Sequence, residues 1–247
     1  MTSPLAGPFF EIGPKNYLRR SELETLVMAA GRAGDEFGVA VIVTVPTAFI
    51  APVADLRAGV HIFAQGMDFD QPGPSVARVI AETLVDAGAV GVMLGHDSNP
   101  LTTEALALSV ARASAAGLAT MVATATTSDA VSAAGLDPTI VLYEPPALIG
   151  RSGDAPRDWI PSADLAVKTT HPAVLMMHAG GVSSPAIARS IMAAGADGTG
   201  STSGVVLAAD PALAAREFIA ATRAGWDEVF AATESLPLHQ NHKGEIE

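Results

Sequence analysis

Residues 39–45 read Val-Ala-Val-Ile-Val-Thr-Val, and every one except Ala40 is β-branched. Branching at Cβ stiffens χ1 and suits the pleated strand better than the helix. The run is apolar without alternation, the mark of a strand covered on both faces, as in parallel sheets. Pro46 ends it, because proline cannot donate to the ladder.

Working outward, the same kind of run recurs at intervals, always followed by an Ala-rich segment of helical spacing. Phe9–Ile12 is a short first strand, and 21–34 reads as a helix with Ser21 and Glu24 in capping-box spacing. His61–Gln65 is a third strand, with 75–87 helical up to Gly88. Val90–Leu94 precedes a helix over 102–116, and Ala119–Ala123 one over 128–134. Ile140–Tyr143 is followed by a long loop, 145–161, and a helical turn over 164–170. Ala173–Met177 precedes a helix over 184–194, and Gly198–Ser201 an Asp210-Pro211 helix start running to about Arg223. Strands alternating with helices imply parallel pairing. Eight such units in 247 residues predict a closed (β/α)8 barrel, typically about 250 residues long, over an open doubly wound sheet. The expected organisation is a single domain over 1–247, with a flexible tail at 236–247.

The composition is 49% hydrophobic and only 5% aromatic, an aliphatic core, and the formal net charge is -12. A surface of that sign repels phosphate backbones, which argues against nucleic-acid binding but leaves room for one local site for a small anion. Cysteine is absent, excluding disulfides and thiol chemistry. No apolar run approaches the ~18 residues of a membrane span, so no membrane partner is expected. The N-terminal residues have no basic segment followed by an apolar one, and the expected location is the cytoplasm.

In such barrels the chemistry sits on the loops after the strands. Those loops hold Gly13-Pro14-Lys15-Asn16, Gln65-Gly66, Gly95-His96-Asp97, Glu144-Pro145-Pro146, His178-Ala179-Gly180-Gly181 and Thr202-Ser203-Gly204. A lysine after a strand is commonly a solvated loop residue, and a histidine there often has only a structural hydrogen bond. Glu144 stands between an apolar strand and a rigid Pro-Pro, where burial raises a carboxyl's pKa toward the range of a general base. Gly180-Gly181 and Ser203-Gly204 read either as plain turns or as backbone N–H groups aimed at a phosphate. His171, His178, His239 and His242 have no ligand spacing with carboxylates, so neither metal nor cofactor is expected.

From about Phe9 to Trp226 the chain resembles the triose-phosphate isomerase family, particularly its shorter archaeal type. The most specific likeness is Tyr143-Glu144-Pro145-Pro146-Ala147-Leu148-Ile149-Gly150, which is similar to the family's base-plus-lid motif. Phe63-Ala64-Gln65, Ala179-Gly180-Gly181-Val182 and Ser203-Gly204-Val205 resemble its third strand and its two phosphate turns. The resemblance implies the TIM-barrel fold, a phosphorylated sugar substrate and a homodimer or homotetramer. The family is itself the standard case of a glutamate base working with a neutral histidine under a closing loop. Carried over, the base is Glu144, the electrophile His96 and the cation Lys15, with residues 145–153 as the lid. The substrate and phosphate site is drawn from Gly13, Gly150, Gly153, Gly180, Gly181, Ser203 and Gly204.

Three departures stand out. Gly13 occupies the place where the family has a substrate-binding asparagine, and Asp97-Ser98-Asn99 follow the histidine in place of Ser-Glu-Arg. The third loop carries Gly73-Pro74-Ser75 where the family makes its dimer contacts. An isomerase of three-carbon sugar phosphates is the first expectation. The alternatives are a four-carbon ketose phosphate, a lyase or epimerase working through the same enediolate, and a non-catalytic phosphometabolite-binding barrel.

Overall fold

The computed structural model describes residues 5–148 and 157–234, the last five by their backbone alone. Eight strands, β1 (Phe9–Ile12), β2 (Ala40–Val45), β3 (His61–Ala64), β4 (Gly91–Leu94), β5 (Ala119–Thr124), β6 (Ile140–Tyr143), β7 (Leu175–His178) and β8 (Gly198–Ser201), pair in parallel in chain order. β8 pairs back onto β1, which closes the barrel. Helices α1 (Arg20–Phe37), α2 (Ile50–Ala54), α3 (Ala81–Asp86), α4 (Thr103–Ala115), α5 (Thr127–Ala134), α6 (Ile160–Lys168), α7 (Pro185–Ala193), α8 (Ser203–Val206) and α9 (Pro211–Glu234) connect or follow the strands. The (β/α)8 expectation is met. No helix among the described residues is long and apolar enough to cross a membrane.

Strand alternation divides the apolar residues into two cores. Phe10, Ile12, Val41, Val43 and Val45 face outward, under the helices. Phe9, Ile42, Phe63, Met93, Met121, Ile140, Leu142 and Met177 face inward and fill the barrel. The interior accommodates its two phenyl rings only because glycine lies opposite each. A Cβ on Gly198 would lie 2.3 Å from Phe9 Cε2, and one on Gly91 would lie 2.4 Å from the Phe63 ring.

Several helix boundaries differ from the sequence reading. The first helix begins at Arg20, capped one way by Glu22 accepting from the Arg19 N–H at 2.8 Å; Glu24 pairs with Arg20 instead. It also runs past Gly34 to Phe37, since Gly31 and Gly34 are close-packing positions: a Cβ on Gly31 would lie 1.8 Å from Ala58 O. The helix expected over 75–87 shrinks to Ala81–Asp86. Asp68 holds the Val79 N–H at 2.8 Å and Arg78 at 2.9 Å, so side-chain and backbone bonds tie this segment into a loop. Conversely, α6 starts at Ile160 and α9 runs on to Glu234, both longer than expected. The capping threonine Thr102 and serine Ser184 open α4 and α7 by accepting the N–H groups of Ala105 and Ile187.

The glycine–phenyl complementarity is testable. Gly198→Ala places a methyl group in the Phe9 ring and overpacks a rigid interior, so the expected loss of stability is about 1–3 kcal/mol. Urea unfolding checks it; a midpoint equal to that of the unchanged protein would show that the interior yields freely.

Candidate active site

A cavity of about 800 Å³ opens at the carboxyl ends of the strands. Its lining includes Gly13, Lys15, His96, Glu144, Gly180, Gly181 and Ser203. These residues come from the ends of β1, β4, β6, β7 and β8, so the barrel unites groups far apart in sequence. Gly204 lies behind the lining, and a Cβ there would meet Phe218, Ser201 and Val182 within 2.9 Å. Gly150 and Gly153, with the later part of the lid, lie outside the described residues, as does the 236–247 tail.

Lys15 adopts a left-handed backbone conformation, φ 46°, rare for a residue with a side chain and held only where surroundings enforce it. Gln65 supplies part of that enforcement: its Nε2 donates to Lys15 O at 2.9 Å and to Thr44 O at 3.2 Å, lashing the first loop to the ends of β2 and β3.

His96 has a defined tautomer. The Ser98 backbone N–H donates to His96 Nδ1 at 3.1 Å, so Nδ1 is an acceptor and the ring proton resides on Nε2. Burial lowers the imidazole pKa, the Lys15 ammonium lowers it further, and Asp97 opposes both. His96 is therefore a neutral donor. The residues that replace the expected ones after the histidine supply this arrangement themselves, since Nδ1 meets both the Ser98 N–H and the Ser98 Oγ, the latter at 2.8 Å.

Glu144 is set by its N–H donating to Thr124 O at 2.9 Å. Burial raises its carboxyl pKa; Lys15, the Gly180 N–H and Arg157 pull it down, while Asp97 adds to the rise. Gly180, at φ 84°, allows its backbone to lie against this side chain: a Cβ there would lie 3.2 Å from Glu144 Cγ. Asp97 thus acts on the histidine and the glutamate, and no ion pair among the described residues involves Lys15.

One side of the cavity is lined by glycine-rich backbone. Gly180 and Gly181 both have positive φ, 84° and 65°. Ser203 and Gly204 open α8, where the first N–H groups have no acceptor inside the helix.

Two residues of the site were not anticipated. Arg157 donates to Ala179 O at 3.2 Å and Gly180 O at 2.5 Å, pinning the Gly180 turn and placing a second cation near Glu144. Nothing in its sequence context marks it. Glu11 lies on the cavity floor, 5% exposed, with Oε1 accepting from Thr44 Oγ1 at 2.6 Å. Burial pushes its carboxyl up to about 7; Thr44 pulls down, Glu144 pushes up, and Lys15 pulls down more weakly. The available signal was an acidic residue at an inward position of an apolar strand, two residues beyond Phe9.

Nearby, His178 Nε2 and Asp164 Oδ1 lie 2.5 Å apart, and the ring stacks edgewise on Trp159 at 5.2 Å. His178 faces away from the cavity and secures α6 to β7, a structural duty.

The sequence matches the profile of the family described as "Triosephosphate isomerase" over residues 12–221. Among curated relatives, the triosephosphate isomerase of Pyrobaculum calidifontis is 33% identical over 192 residues, covering 75% of this chain and 82% of that protein. The one from Methanosarcina acetivorans is 29% identical over 220 residues, 87% and 99% of the two chains. The one from Pyrobaculum arsenaticum is 37% identical, but the match spans only 55% of its length. The crystal structure of the Bartonella henselae triosephosphate isomerase superposes with a TM-score of 0.69 at 17% identity, covering 87% of this chain and 99% of that one; at that identity the likeness concerns the fold.

Glu11 predicts a pH dependence of stability. Its folded pKa of about 7 exceeds the ordinary 4.5, so between those values the native state binds more protons than the unfolded chain. Stability therefore falls as pH rises through that window, by an amount on the order of 3 kcal/mol from this group. Glu144 acts with the same sign. Glu11→Gln removes the Glu11 contribution, and urea unfolding across the window should show a flatter profile for the variant.

Proposed function

This chain belongs to the triosephosphate isomerase family, and from that premise we propose that it is an aldose–ketose isomerase of a small sugar phosphate. The substrate pair is glyceraldehyde 3-phosphate and dihydroxyacetone phosphate, interconverted through an enediolate. The observation that carries this reading is the convergence of Glu144, His96 and Lys15 on one cavity that also exposes the glycine-rich turns.

Each group has a role suited to its surroundings. Glu144, a carboxylate strengthened as a base by burial, takes the proton from the carbon beside the substrate carbonyl. Neutral His96, with its proton on Nε2, hydrogen-bonds the carbonyl oxygen and transfers that proton as charge develops there. Lys15 balances the negative charge of the enediolate and the phosphate. Glu144 then returns its proton to the former carbonyl carbon while His96 takes back a proton from the hydroxyl on the carbon that lost one; that oxygen becomes the new carbonyl, which completes the isomerisation. The phosphate rests on the amides of Gly180, Gly181 and Ser203. Closure of the lid excludes water and protects the enediolate from elimination. No step calls for a metal or a cofactor.

Arg157 supports the phosphate assignment, since it fixes the Gly180 turn and adds local positive charge to a chain of net charge -12. We read the chain as one barrel domain working in the cytoplasm as a homodimer or homotetramer. Supporting self-association, the first and third loops expose Tyr17, Phe69 and Val76, at 58%, 42% and 87%. Sedimentation should then give at least twice the monomer mass, and Val76→Asp should reduce it; a monomer at all concentrations removes the oligomer.

Glu144→Gln should lower kcat by about 10²–10⁴-fold, the usual worth of a general base, while phosphate-ligand binding persists. Near-full activity in this variant would reject Glu144 as the base. Three-, four- and five-carbon aldose and ketose phosphates, assayed by proton exchange in deuterated solvent, define the reaction. Isomerisation with exchange for the three-carbon pair supports this reading. Exchange without net isomerisation reassigns the site to elimination or epimerisation, and absence of exchange with every compound rejects catalysis.

A further inference from the structure

The cavity holds a second carboxyl for which the reaction above has no use. Glu11 descends from the barrel interior, and its place there is built by its neighbours. A Cβ on Gly200 would lie 2.9 Å from Glu11 Oε2, and one on Gly13 would lie 3.1 Å from Oε1. The β8 partner of Glu11 and the residue after β1 thus are glycines where a side chain would displace the carboxyl. Thr44 fixes one of its oxygens, Oε1. The other, Oε2, has no hydrogen-bond partner among the described residues, and Glu11 lines the cavity. An apolar side chain of similar volume would plug the floor without the cost of desolvating a carboxyl. A carboxyl with one oxygen held and the other open to the cavity is instead a prepared hydrogen-bonding group.

We propose that Glu11 is a substrate-contacting, specificity-determining residue, whose open carboxyl oxygen hydrogen-bonds the hydroxyl-bearing end of the sugar phosphate, opposite the phosphate group. The inference rests on the sugar-phosphate reading of the site and adds the recognition of the polyol end. Charge sets the ligand's direction. The doubly charged phosphate is attracted to the amides of the Gly180 and Ser203 turns and gains nothing from a carboxyl that burial holds toward its neutral form, so the uncharged end of the molecule meets Glu11. The groups facing Glu11 are Thr44 from β2, Glu144 from the end of β6 and Lys15 from the first loop, while β8 presents only Gly200. The retained proton lets Glu11 donate below about pH 7, and ionisation lets it accept above. Gly13 completes the arrangement: it contributes no side chain to the floor, and the carboxyl from two residues earlier lies just beneath the place where one would begin.

The test measures binding, so it does not depend on turnover. Inorganic phosphate and inert three- and four-carbon polyol monophosphates are titrated into the intact protein, Glu11→Gln and Glu11→Leu. Glu11→Leu should weaken the polyol phosphates at least about tenfold, as expected for a hydrogen bond to a strongly polar group, with inorganic phosphate unchanged. Glu11→Gln, which keeps the shape and hydrogen-bonding capacity, should retain most of the affinity. A change of equal size for all three ligands, or none, overturns the proposal and leaves Glu11 a structural plug. If Glu11→Leu does not fold, infrared difference spectra decide. The protonated carboxyl band lost in Glu11→Gln should shift on binding polyol phosphate and not on binding inorganic phosphate; an unmoved band overturns the proposal. Unmodified protein that binds no polyol phosphate overturns both this inference and the sugar-phosphate reading. Protein that binds them without turnover overturns the isomerase reading alone, and the same affinity ratios still decide Glu11.

Discussion

The interior of an eight-stranded barrel has a fixed cross-section, and the strands must share it. Phe9 and Phe63 take a large part, and Gly198 and Gly91 on adjacent strands give it up. The same division of space continues one layer higher. There Gly200 and Gly13 yield to Glu11, so the layer that would otherwise close the core ends in a carboxyl that forms the floor of the cavity. Core packing and site chemistry are therefore consecutive layers of one volume constraint, which explains why a glycine deep in β8 bears on an acid in β1.

Above that floor the controlling quantity is the balance between desolvation and local charge. Glu11 and Glu144 are both pushed toward protonation by burial. Lys15 counters the push on both carboxyls, and Arg157 counters it on Glu144 alone. The imidazole experiences the opposite pressure: burial and Lys15 both favour its neutral form. One ammonium thus keeps a base ionisable and an electrophile neutral. Its own position depends on Gln65, whose two hydrogen bonds hold the strained backbone of residue 15 in place.

The departures from the family pattern have different weights once the geometry is known. The changed residues after His96 still hold its tautomer, because Ser98 meets Nδ1 with both its backbone N–H and its Oγ. The missing side chain at residue 13 matters more, because Glu11 now lies beneath that place. The altered third loop is held by Asp68, Arg78 and Val79 in a form that local helical spacing did not anticipate.

The sequence by itself determined the alternation of strands and helices, hence the parallel barrel, because β-branched runs and 3.6-residue spacing are local properties. It also determined which loops carry chemistry, since those loops follow the strands. Only the tertiary structure decided that Glu11 reaches the cavity floor and that Arg157 pins the Gly180 turn, as well as where several helices begin and end. Those outcomes depend on contacts between residues distant along the chain: Arg157 with Gly180, Glu11 with Gly200, and Gly31 with Ala58. No spacing within one segment encodes such pairs. They arise when closing the barrel fixes which side chains must share the same space.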